Sequence, residues 1–182
     1  ALGQDRLRAQ AELFGFGKAI RVPMQSTPSV FPEEMDDAQL GLSSFGQFDV
    51  RVSPLQMALI SSSIANGGLM MQPNLIENVI SPNLSVIAAP TPEVLSQPIT
   101  AATAEALKKQ MVQSVSRGVA SNASVSGFKV AGKTGTAENG AGERVTLWFT
   151  GFAPAVNPRV AIALVIEDGG GRDSGASGNG TA

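Results

Sequence analysis

With 182 residues, 43% of them apolar and 15% charged, the chain is long enough to bury a core of its own. A formal net charge of −2 excludes nucleic acid as a partner, because phosphate binding needs a clustered excess of Lys and Arg. Neither Cys nor His occurs, which excludes disulfides, thiolate nucleophiles, Cys-based metal sites and a Ser-His-Asp triad within the chain.

Any acid–base chemistry therefore falls to Lys, carboxylates or hydroxyls. No window approaches the ~18 consecutive apolar residues of a membrane span, and no signal peptide opens the chain.

Gln4–Phe14 has Leu7, Ala11 and Phe14 at helical spacing, with Gly15 placed to stop the helix. A chain that begins inside such an element, with no start signal, is expected to continue from residues further back. Residues 17–50 read as irregular, because Pro23, Pro28 and Pro32 break any regular run. Glu33, Glu34, Asp36 and Asp37 lack the glycine and spacing of a calcium loop and read as solvated surface, so no metal site is expected. Ser53-Pro54-Leu55-Gln56 has the form of a capping box opening a helix that is apolar most of the way round, hence central and buried. Asn66-Gly67-Gly68 ends it.

Residues 75–80 and 84–87 are β-prone runs on either side of Ser81-Pro82-Asn83, which predicts a hairpin. Thr100 caps a second helix, Ala101 to Arg117, with Ala104, Leu107, Met111 and Val115 along one stripe. Three strand-like runs follow, Phe128–Ala137, Val145–Ala153 and Arg159–Glu167, joined by connections short enough to require antiparallel neighbours. The fold class is therefore α+β, an antiparallel sheet with packed helices. Residues 169–182 are Gly/Ser-rich and read as a flexible loop.

The first of these runs satisfies two motif patterns. Gly127 to Thr134 matches the nucleotide-binding pattern G-x-x-x-x-G-K-[ST]. That motif needs a hydrophobic strand entering the loop and a helix leaving it. Here polar residues enter and Gly135 to Gly140 lead to a turn, so nucleotide binding is excluded. Lys133-Thr134-Gly135 also matches the K-T-G element of serine acyl-transfer enzymes. On an exposed edge Lys133 offers positive charge to a carboxylate or to a proton-relaying serine, and the Thr134 hydroxyl can hydrogen-bond a carboxylate. Gly135 lets a substrate backbone come close, and the Thr136 backbone N–H can stabilise an oxyanion.

Val130 to Glu138 resembles the third-strand segment of class B penicillin-binding proteins. Phe14 to Gly17, Val52 to Ala58 with Ile64 to Gly68, and Trp148 to Pro154 agree with that family in the same order. The resemblance covers roughly Leu2 to Asp168 and implies a serine transpeptidase/β-lactamase-like fold. It implies a peptidoglycan D,D-transpeptidase with a role in cell shape and division. Its partners would be stem peptides and β-lactam antibiotics, and no cofactor is implied. It further implies a location on the outer face of the plasma membrane, with an anchor expected upstream. Two other readings stay open: a D,D-carboxypeptidase or β-lactamase-like hydrolase, and a non-catalytic penicillin-recognising sensor or scaffold.

In the family, the S-x-x-K and S-x-N segments precede this region. Ser126-Gly127-Phe128-Lys129 fits S-x-x-K by letters but runs into a strand, where positions three apart face opposite ways. Ser81-Pro82-Asn83 reads as a hairpin turn, and Ser177-Gly178-Asn179 lies in the tail. The nucleophile serine is therefore expected outside this chain. Residues 1–182 are expected to be the C-terminal portion of a transpeptidase domain, incomplete at both ends, with the upstream half of that domain as a partner.

Overall fold

The computed structural model describes residues 2–169. Its first helix, α1 (Gln4–Leu13), stops where expected, at Gly15 in the left-handed region (φ 92°). Residues 17–50 are not wholly irregular: α2 (Asp37–Ser43) forms there. The Asp36 carboxylate accepts from the Gln39 N–H at 2.8 Å, and the Gln39 side chain accepts from the Asp36 N–H at 3.0 Å. That reciprocal cap overcomes the proline-rich surroundings, and it shows what one member of the acidic cluster does.

Helix α3 (Pro54–Ala65) starts at Ser53, whose hydroxyl accepts from the Gln56 N–H at 3.2 Å. The reciprocal half of the expected capping box is not made. Gln56 turns inward instead, 1% exposed, and donates to the Phe14 carbonyl at 2.5 Å. No residue of α3 after Pro54 is exposed, as a central helix requires. Beyond it, β1 (Met70–Met71) pairs antiparallel with β4 (Val94–Ser96), two strands too short to show in the sequence pattern. The expected hairpin is β2 (Val79–Ile80) with β3 (Val86–Ala88), tied by the Ser81 N–H donating to the Ser85 carbonyl at 2.8 Å. Thr100 caps α4 (Ala101–Arg117), whose Ala104, Met111 and Val115 are buried.

The main sheet is β5 (Ala131–Ala137), β6 (Thr146–Ala153) and β7 (Val160–Ile166), antiparallel in that spatial order. Phe128 to Val130 are not part of β5; Gly127 is left-handed (φ 94°) and the Ala155 N–H takes the Lys129 carbonyl at 2.7 Å, so the ladder opens at Ala131. Helix α3 lies on β6 and β7, while α4 lies along β5. Met111, Ala131, Phe152 and Ala155 form one buried cluster, and Val115, Ala120 and Phe149 a second. Of the tail 169–182, only Gly169 lies within the described residues; its N–H donates to the Val145 carbonyl at 3.0 Å.

Candidate active site

The site is built on β5. Regular register against β6, from Ala131↔Phe152 to Ala137↔Thr146, sets the alternation of its side chains. Gly132 faces Phe149 and Val115, so Thr134 and Thr136 share that face. Ala131, Lys133 and Gly135 share the opposite face, on which α3 packs. There Thr150, the register partner of Lys133, meets the buried Ser61 of α3, Oγ to Oγ1, at 2.6 Å. This contact holds α3 against the strand next to the one carrying Lys133.

Lys133 is exposed, and its Nζ donates to the carbonyl of Thr134 at 2.5 Å. Thr134 is 7% exposed and points to the other face, so adjacent residues of the motif present their side chains on opposite sides of the strand. Gly135 and Thr136 are half-buried.

Beyond them lies an apolar groove of about 600 Å³, lined by Gly135, Thr136 and Ala137 and by Phe14, Phe16, Phe45 and Trp148 among others. Trp148 is the register partner of Gly135.

Among the described residues no strand pairs with the outer edge of β5. The side chain of Gln47 reaches it instead, donating from Nε2 to the Thr136 carbonyl at 3.2 Å and accepting at Oε1 from the Glu138 N–H at 3.3 Å. In an extended strand the N–H and C=O of one residue point to the same edge. The Thr136 N–H therefore also opens outward, away from β6. Sequence reasoning passed over Gln47, because a lone glutamine in a loop carries no periodicity; the flanking Gly46 was the available signal of a turn.

The sequence-level S-x-x-K and S-x-N matches do not join the site. Ser126 and Gly127 form a turn, with no helical face shared by Ser126 and Lys129. The Ser81 hydroxyl bonds to the Asn83 side chain and to the Ser85 carbonyl within the β2–β3 hairpin. Ser177 and Asn179 lie outside the described residues. The nucleotide-binding pattern also fails here, since Gly132, Lys133 and Thr134 lie within a strand that leads to a turn.

The chain is 38% identical over 180 residues to the peptidoglycan D,D-transpeptidase PbpA of Mycolicibacterium smegmatis, covering 97% of this chain and 36% of that protein. It is 36% identical to the PbpA of Mycobacterium tuberculosis over the same shares. The chain thus spans little more than a third of the length of these relatives. A crystal structure of penicillin-binding protein A from Mycobacterium tuberculosis superposes with a TM-score of 0.86 at 35% identity, covering 93% of this chain and 41% of that one. An imipenem acyl-enzyme complex of the same protein gives a TM-score of 0.85 at 36% identity, covering 93% and 39%. The family described as the penicillin binding protein transpeptidase domain matches residues 1–182. The α+β arrangement of helices on an antiparallel sheet is the fold of these penicillin-binding proteins, and the chain belongs to their transpeptidase domain family.

Proposed function

We propose that this chain is the substrate-binding, C-terminal portion of a peptidoglycan D,D-transpeptidase domain, acylated by β-lactams. The observation that carries the reading is the outer edge of β5, where exposed Lys133, uncrowded Gly135 and the outward Thr136 N–H follow one another. Lys133 pairs with the terminal carboxylate of a D-Ala-D-Ala stem peptide, whereas the Thr134 side chain, 7% exposed, is turned to the other face of the strand. Gly135 admits the peptide backbone alongside the strand. Thr136 donates its backbone N–H to the oxyanion that forms when the scissile carbonyl is attacked.

The nucleophile is a serine supplied by the upstream half of the domain. The sequence contains one S-x-x-K match, at Ser126, and it lies in a turn. The upstream serine Oγ, its proton taken by a lysine one helical turn away, attacks the D-Ala-D-Ala carbonyl. The peptide bond breaks and D-alanine leaves with a proton. The acyl-enzyme then passes to the amine of a neighbouring stem peptide, restoring the serine. A β-lactam follows the first step by ring opening and stays attached.

The substrate places this chemistry on the outer face of the plasma membrane, where cross-linking serves cell shape and division. No helix of the described residues is long and apolar enough to cross a membrane, and the anchor is assigned to a segment upstream.

The test is a turnover assay on the full-length protein with a D-Ala-D-Ala stem peptide and an amine acceptor. Acceptor-dependent formation of the cross-linked product is expected, reduced ~100-fold or more in Lys133→Ala, the size of loss expected for one charge-stabilising group. D-alanine release that ignores the acceptor would make the protein a hydrolase, and no release would make it a sensor or scaffold.

A further inference from the structure

Gln47 lies in the loop after α2 and is half-buried. A carboxamide carries the same donor and acceptor as a peptide unit. By bonding both the Thr136 carbonyl (3.2 Å) and the Glu138 N–H (3.3 Å), it takes the place of one residue of an added strand, whose N–H and C=O would both face this edge.

The loop is shaped to hold it there. The Gln47 N–H donates to the Leu42 carbonyl at 3.0 Å and the Gly46 N–H to the Ser43 carbonyl at 3.1 Å. On either side of Gln47, Gly46 and Phe48 are left-handed, at φ 86° and 66°. Phe48 is a bulky residue in a region that such side chains rarely adopt, and strain of this kind persists only where the surroundings fix it.

Thr136 stands one residue from the end of β5, beside the Gly140 and Gly142 loop, and has β6 on one side alone among the described residues. Strand ends at an open edge fray, whereas an oxyanion donor must be held to within tenths of an ångström.

We infer that Gln47 is a positioning residue for acyl transfer. It anchors the end of the β5 edge so that the Thr136 N–H stays aimed at the developing oxyanion, and it closes the edge to backbone pairing at Glu138. An extended acyl chain lying along β5 must therefore leave the edge at Thr136. This inference rests on the reading of β5 as the substrate edge.

The experiment measures acylation of the full-length protein by a fluorescent penicillin, resolving the maximal acylation rate constant from the initial non-covalent affinity, alongside thermal unfolding. Gln47→Ala is expected to lower the maximal rate about tenfold, less than the ~100-fold loss of a 1 Å misplacement, with affinity within about twofold. Gln47→Glu keeps the shape and the acceptor for the Glu138 N–H but cannot donate to Thr136, and its rate should also fall. If Gln47→Ala does not fold, Gln47→Glu carries the test. A wild-type rate per folded molecule in these variants, whatever their unfolding temperature, would overturn the inference. Absence of acylation in the wild type would overturn the β5 reading itself, and the role of Gln47 with it.

Discussion

Gly132, Gly135 and Gly151 look alike in the sequence, yet the structure separates them. A Cβ on Gly151 would lie 2.4 Å from the Ala131 carbonyl oxygen, and one on Gly132 would lie 2.6 Å from the buried Phe149 ring. A Cβ on Gly135 would meet nothing nearer than the Trp148 Cβ at 3.4 Å. Gly132 and Gly151 are thus required by sheet packing, whereas Gly135 leaves space that the fold itself does not use. Gly151→Ala should lose ~1–3 kcal/mol of stability in denaturant unfolding, as overpacking does. Gly135→Ala should unfold within about 1 kcal/mol of wild type yet be acylated more slowly by penicillin, because only the incoming ligand meets the new methyl group. Thr136→Pro deletes an N–H that points away from β6, a position where an edge strand tolerates proline. It should leave the sheet formed while reducing acylation ~100–1000-fold, the loss measured for one oxyanion donor.

At the scale of the elements, the two long helices were legible because caps and apolar spacing agree: Thr100 caps α4, which runs from Ala101 to Arg117 as expected. The three-stranded meander was legible from its short connections. Helix α2 was hidden because its signal is the Asp36–Gln39 cap alone, set among prolines and acids that argue for a loop. The β1–β4 pair was hidden because strands of two and three residues have no period to read. Of the candidate site, the Lys133 to Thr136 motif is visible in the sequence. Gln47 is not, since it is brought to β5 across a separation of 89 residues to Thr136.

The apolar α3 also proved to carry fully buried hydroxyls, Ser61 and Ser63. Ser63 donates to the Ile60 carbonyl at 2.8 Å within its own helix, while Ser61 relies on Thr150. Thr150→Val strands the Ser61 hydroxyl and should cost ~1–3 kcal/mol, whereas Ser61→Ala should cost less, ~0.5–1.5 kcal/mol. Thr150 would retain the Ile162 carbonyl at 3.0 Å as an acceptor. Equal losses in the two variants would contradict this ranking.

For the whole molecule, the outer strand β7 is telling. Val160, Ile162, Leu164 and Ile166 alternate along it at 59%, 42%, 45% and 41% exposure, on the sheet face opposite α3. Fully burying such a side chain is worth ~1.5–3 kcal/mol, so a half-open row of this kind favours being covered. On the proposed reading, the remainder of the transpeptidase domain covers it. Residues 1–182 co-expressed with the upstream half should then regain penicillin labelling, and the double variant Ile162→Asp, Leu164→Asp should abolish that recovery. The most direct test of the central claim is to label the full-length protein with fluorescent penicillin and locate the acylated residue by peptide mass spectrometry. The label should fall on a serine outside residues 1–182, and residues 1–182 alone should take up none. A label on Ser126, or on any other serine of this chain, would contradict the account.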